Sequence, residues 1–154
     1  MTQHGAAEEA FLGAMMRNLG RLLTDYPALS GPLPHALRGN VLWARGLYTA
    51  AAEEYRLALR EPTAEQALLA NNLGAILLDA NDPAALAAFQ ETVRLLDGRD
   101  LGELRYNLAG LALREGRNAD AVADMEQARN LVTPAAPLLI DLTRAYRETG
   151  RLAE

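Results

Sequence analysis

The strongest constraint on this chain is a period. Small residues recur at Gly39, Gly74, Ala109 and Thr143, spaced 35, 35 and 34. Turn residues follow at Gly46, Asn81, Gly116 and Gly150 with the same spacing. Beyond the first three turns stands an Ala with a large apolar residue four places on: Ala51 and Tyr55, Ala85 and Phe89, Ala121 and Met125. Such self-similarity marks a stack of supersecondary units, none of which buries its apolar face alone.

Each unit reads as two helices. Apolar residues at Leu69, Leu73, Ile76 and Leu77, and again at Leu104, Leu108 and Leu111, follow helical spacing. The first helix stops at Gly or Asn, residues that tolerate a left-handed helix end. The second restarts within two or three residues, as from Ala119 to Leu131 with Asn118 as its cap. Start signals are expected at Thr63 with Gln66, at Asp100 with Glu103, and at the Asp82-Pro83 and Thr133-Pro134 pairs. Half the residues are hydrophobic and only 5% aromatic, and β-branched strand formers are scarce. An all-helical fold follows.

The sequence resembles the tetratricopeptide repeat family, with its pattern W-x2-L-G-x2-Y, then A-x3-F, then P. The second unit matches at Ala70, Leu73-Gly74, Leu77, Ala85 and Phe89; the third at Leu108-Ala109, Ala121, Met125 and Pro134. The first matches at Gly39, Leu42, Gly46-Leu47-Tyr48, Ala51, Tyr55 and Ala58, with His35 and Arg38 in place of apolar residues. A fourth begins at Leu139, Leu142-Thr143, Tyr146 and Gly150-Arg151-Leu152. The resemblance implies an all-α, right-handed superhelical solenoid of helix-turn-helix repeats with a leading N-terminal helix. Its parts would be 1–31 (leading helix and connector), three repeats (32–65, 66–99, 100–134) and the first helix of a fourth (135–154).

Two departures from the pattern stand out. Arg105 occupies the place of a large apolar residue. Ala51 to Ala85 spans 34 residues and Ala85 to Ala121 spans 36, so the "LLDGRDLGE" linker must absorb the difference. Before the repeats, residues 6–25 put Phe11, Met15, Leu19 and Leu22 on one helical face. This helix is expected to cover the first repeat or to dimerise, and the Pro-rich 26–34 to connect it.

Chemistry is sparse. Twenty acidic residues against fifteen basic ones, all Arg, give a net charge of −5, so no basic stripe is expected to hold nucleic acid. There is no Cys, hence no disulfide or thiolate metal site. No apolar run reaches membrane-spanning length, and Glu8 and Glu9 disrupt a signal peptide; a cytoplasmic location is expected. A P-loop needs Lys, and there is none. His4 and His35 form no pair, and Ser30, the only Ser, lacks a nucleophile's surroundings. "DANDPA" opens like a calcium loop but has Ala84 and Gln90 where Gly and Glu are required. Neither an enzyme nor a cofactor is expected.

Function rests on the resemblance, in which the first helix of each repeat lines the concave side. The groove would then take Leu33, Ala36, Leu37, Asn40, Trp43 and Ala44 from the first unit and Leu68, Asn71, Asn72, Ala75, Leu78 and Asp79 from the second. The third would give Glu103, Tyr106, Asn107, Gly110, Leu113 and Arg114, and the fourth Ile140, Asp141, Arg144 and Arg147. Asn72 and Asn107 each precede a core Leu; an amide there can bond a bound peptide's main chain, or it can brace the stack. Asn40 and Asn72 match the two Asn of a carboxylate clamp found in chaperone adaptors of the family. Ala36, Glu103 and Asn107 replace its cations, which argues against that function. The leading expectation is a scaffold or adaptor holding a partner's peptide or helix. The alternatives are a self-assembling element or fragment dimerising through the N-terminal helix or the C-terminal end, and a chaperone of the type III secretion kind.

Overall fold

The computed structural model describes residues 13, 14, 17, 18, 31–131 and 136–151. Among them are seven helices and no strand: α1 (Pro32–Ala44), α2 (Tyr48–Ala58), α3 (Gln66–Asp79), α4 (Ala85–Leu96), α5 (Gly102–Arg114), α6 (Asn118–Leu131) and α7 (Ala136–Glu148). Gly13, Ala14, Arg17 and Asn18 are helical. The rest of the expected leading helix and the Thr133-Pro134 signal lie outside the described residues. The Pro-rich connector ends earlier than expected. Pro32 and Pro34 fall in the first turn of α1, where a missing N–H does no harm.

The helix ends at the four turns are built alike. Gly46, Asn81, Gly116 and Gly150 have φ of 72°, 57°, 73° and 76°. After α1, the Leu47 N–H reaches Leu42 O at 2.9 Å and the Gly46 N–H reaches Trp43 O at 2.8 Å. The same two bonds recur from Asp82 to Leu77 and Asn81 to Leu78, from Arg117 to Ala112 and Gly116 to Leu113, and from Arg151 to Tyr146 and Gly150 to Arg147. A left-handed residue thus satisfies carbonyls that the helix would otherwise leave bare, and turns the chain out of the helix.

Helix starts depart more from expectation. Asp82 accepts the Ala84 N–H at 2.9 Å, but α4 begins only at Ala85, past Pro83, and without a side-chain cap. Thr63 likewise closes a turn onto the Glu65 N–H, and α3 begins without a side-chain cap. Asp100 binds the Leu101 N–H and Arg105 rather than capping α5. Arg105 out-competes the helix end for that carboxylate, because it offers two charged donors.

The small residues explain how each pair of helices meets. A methyl added to Gly39 would stand 2.5 Å from Tyr55 Cδ2, and one added to Gly74 would collide with Phe89 Cε1 and Cδ1. Tyr55 and Phe89 are fully buried, each ring lying where a side chain would otherwise be. In the third unit Ala109 has its Cβ, and the large residue is Met125, whose unbranched side chain adapts to it. Both are fully buried in the same cluster.

Two apolar clusters result. One gathers Ala36 to Leu96 from α1–α4 and reaches Leu104. The other holds Ala109, Ala112, Ala121, Val122, Met125, Ala128, Leu138, Leu142 and Ala145. Between α4 and α5 the chain passes through two consecutive left-handed residues, Asp97 (φ 49°) and Gly98 (φ 82°). This is how the linker takes up its extra residue. The charged residues at the start of the first and third units are paired nineteen residues on: His35 with Glu54 (2.7 Å) and Arg105 with Asp124 (3.2 Å). A polar side chain replacing an apolar residue on one helix is answered by an acid on the next.

Gly74→Ala is expected to destabilise the chain by about 1–3 kcal/mol through overpacking. Adding Phe89→Met should recover part of that loss, since the third unit already uses the pair. Urea denaturation of the single and double variants measures both; no recovery would contradict the Ala–Met rule.

Candidate interaction surface

The odd-numbered helices stand side by side, linked by side-chain contacts between residues 35 or 36 apart. The Trp43 indole N–H donates to Asp79 Oδ2 at 2.8 Å. The guanidinium of Arg114 lies 3.8 Å from Asp79 Oδ1. Asn107 Nδ2 donates to Asn71 Oδ1 at 3.0 Å, and the Tyr106 hydroxyl to Asp141 Oδ2 at 2.7 Å. These contacts join α1 to α3, α3 to α5 and α5 to α7, so one face carries side chains from all four.

A second network explains Asn72. The Tyr55 hydroxyl donates to Asn40 Oδ1 at 2.5 Å and accepts from Asn72 Nδ2 at 3.2 Å. Tyr55 has a single proton to give, so Asn40 must present its oxygen and Asn72 its NH2 group. Burial raises the Tyr55 pKa, while the two amides pull it the other way. The Asn40 NH2 group and the Asn72 and Asn107 side-chain oxygens make no bond within the described residues. Each amide is half spent in the stack and half available.

The predicted groove residues divide accordingly. Asn71 (1% exposed), Ala36, Ala75 and Leu78 are buried, so they support the face without presenting themselves to it. Asn71 turns inward to meet Asn107, and Leu78 lies beneath Gly110, where an added methyl would come within 3.3 Å of Leu78 Cδ2. Trp43, Asn72, Tyr106, Asn107, Leu113 and Asp141 are half-buried; Leu33, Leu37, Asn40, Ala44, Leu68, Asp79, Glu103, Arg114, Ile140, Arg144 and Arg147 are exposed. Leu68 keeps 42% of its surface in solvent and Ile140 59%.

Sequence reasoning missed one feature on the other side of α5. A cavity of about 330 Å³ lies between α4 and α5, with Leu96, Leu104 and Leu108 below and Arg99, Asp100 and Arg105 at its rim. The Arg105 guanidinium beside Asp100 holds that carboxyl below the usual carboxylate range. The signal was present in the sequence, as Arg105 at an apolar register position.

Among the described residues no group of three or more side chains comes together to hold a metal, and no helix is long and apolar enough to cross a membrane. Compared with known proteins, the chain matches no protein-family model and none of the curated proteins.

Tyr106 gives a direct test of the geometry. Burial first, then the Asp141 carboxylate and the field of Asp79, push its pKa up to about 12. A neutral phenol is favoured in the fold, so the stabilisation is complete below about pH 10, where free tyrosine titrates, and is lost as pH rises toward 12. Ultraviolet titration should find one tyrosine ionising near pH 12, and Asp141→Asn should bring it down toward its ordinary value. An unchanged titration in that variant would break the assignment of the Tyr106–Asp141 bond.

Proposed function

We propose that this chain is a protein–protein interaction module of the tetratricopeptide repeat type. In this reading its helices form a right-handed superhelical solenoid, and the face of the odd-numbered helices is its concave, partner-binding side. The observation that carries the proposal is the half-spent amide row. Asn72 and Asn107 each give their NH2 group to the stack and keep an oxygen free, and Asn40 does the reverse. Donor and acceptor positions along one face suit the alternating N–H and C=O groups of a peptide main chain, which they can bind without reading its sequence.

Side-chain preference then falls to the apolar contacts. Leu68 is exposed one helical turn before Asn72 on α3, and Trp43 and Leu113 add half-buried apolar surface on α1 and α5. Desolvating such residues at the centre of a small interface supplies most of the binding energy. Asp79 and Arg114 sit at one edge, paired to each other at 3.8 Å, where they steer an approaching partner more than they hold it. The role is that of a scaffold or adaptor, with a cytoplasmic location as part of the proposal. Binding, not catalysis, accounts for the site: its acids and phenol are engaged with one another.

Trp43, Asn72 and Asn107 brace neighbouring helices, so truncating them confounds binding with stability. Leu33→Glu with Leu68→Glu changes only exposed side chains of the same face. The double variant is expected to lose the partner that the wild-type chain captures by crosslinking in its own cells, with helicity and melting temperature unchanged. Capture of the same partner at the wild-type level would refute this face as the binding site.

A further inference from the structure

We infer that the cavity between α4 and α5 is a binding site of its own, for a peptide in which a leucine-sized side chain adjoins a carboxylate. It lies on the far side of α5 from the groove, and none of its lining residues belongs to that face. The inference begins from two junctions of the stack. Leu59 on α2 stands 34 residues before Val93 on α4, and Leu69 and Leu73 stand 35 before Leu104 and Leu108. In the first junction Leu59 is half-buried against the cluster that holds Leu69 and Leu73.

In the second junction that corner is left unfilled. Val93 is a methylene shorter than leucine, and one more residue separates it from Leu104 than separates Leu59 from Leu69. There α4 and α5 stand further open than α2 and α3, and Val93 is 54% exposed at the wall of the cavity. Beneath it Leu96 and Leu104 are buried and Leu108 is half-buried, so the floor is closed and apolar. The first junction shows what fills such a corner, a leucine. At about 330 Å³, the cavity is also of a size that specific ligands occupy.

Charge at the mouth selects the neighbouring group. Arg99 donates from Nε to Leu96 O at 3.0 Å, which holds its guanidinium at the rim. Both terminal nitrogens are left without an acid among the described residues. The other charges at the rim are spent: Arg105 binds Asp100 and Asp124, and Asp100 also accepts the Leu101 N–H. Asp97, the remaining acid of this turn, does not line the cavity. A guanidinium with two free NH2 groups matches a carboxylate in bidentate fashion. The surface beside the cavity suits a chain better than an isolated small molecule. Leu86 lies two turns before Val93 on the same face of α4 and is 44% exposed, with Gln90 exposed between them. That separation is about 10.5 Å along the helix, the reach of roughly three extended residues. A peptide with one apolar residue in the cavity thus sets another, three positions away, over Leu86. The Gln90 amide offers its main chain a donor and an acceptor on the way.

The probe is a blocked hexapeptide, acetyl-Leu-Ala-Ser-Leu-Glu-Gly-amide, titrated into the intact ¹⁵N-labelled chain. It is expected to shift the amides of residues 86–108 and to leave those of α1 and α7 in place. Ala in place of the peptide's second Leu should abolish the shifts. Gln in place of its Glu should weaken binding by about fivefold, as loss of one solvent-facing ion pair does. Arg99→Gln, which alters an exposed side chain, should cost the same, and the two changes together no more than either alone. Octanoate, an apolar acid without a main chain, should bind more weakly than the peptide. The proposal is overturned if the peptide causes no shifts, if the shifts fall on α1 or α7, or if the Gln peptide binds as well as the Glu peptide. Tighter binding of octanoate would also overturn it, since the occupant would then be a small amphipathic acid. So would a dimer in which 86–108 are protected from hydrogen exchange, because a second copy would hold the site.

Discussion

Two helices approach closely only where one of them gives up a side chain, and this chain rests on that exchange. Gly39 and Gly74 leave room for the rings of Tyr55 and Phe89, which are buried at little conformational cost because a ring has few rotamers to lose. The consequence extends beyond packing. A ring driven that deep carries the Tyr55 hydroxyl between α1 and α3, where it must find partners, and Asn40 and Asn72 provide them. Phe89 has no hydroxyl to satisfy. Asn107, the equivalent of Asn72 one unit later, is thereby released and bonds Asn71 instead. Two asparagines at one register position do different work because the large residue before each differs by a single oxygen.

The same exchange accounts for the division of the core. Where Ala109 replaces Gly, the ring is replaced by Met125, and the cluster around it gathers with α7 rather than with α1–α4. Arg105 reinforces the boundary. Its bonds to Asp100 and Asp124 occupy the corner that a large apolar residue would otherwise fill, and beside it the cavity between α4 and α5 stays open. Coulombic contacts of this kind, part-exposed to solvent, fix geometry more than they add stability.

The repeats and the four left-handed helix ends were legible because both depend on local chemistry: a missing side chain, or a residue that accepts positive φ. The choice between Asn71 and Asn72 was not legible. Nine residues of α3 are buried, from Leu69 to Leu78 apart from Asn72, so "LLANNLGAILL" has no polar stripe to reveal which Asn points inward. Capping at Thr63 and Asp100 failed for a related reason. The motif spacing was present, but Asp100 had a stronger suitor in Arg105 and Thr63 closed the turn before the helix. The pairing of His35 with Glu54 and of Arg105 with Asp124 was written in the sequence as a nineteen-residue interval, visible only once the helices are known to touch.

Repeated packing raises a problem that the polar contacts answer. Apolar contacts alike in every unit cannot tell a correct neighbour from one that is skipped, and arrays of similar repeats misassemble for that reason. The edge of the odd-helix face is not alike from unit to unit. Trp43 meets Asp79, a donor against an acceptor, and Asp79 meets Arg114, an acid against a base. If α5 stacked on α1, Trp43 would meet Arg114, donor against donor. If α7 stacked on α3, Asp79 would meet Glu148, the residue at the register of Arg114 in α7, acid against acid. Each neighbour shown complements and each of these single skips conflicts, so the edge residues favour the correct order of the stack. The edge of the proposed binding face thus also helps to keep the units in sequence.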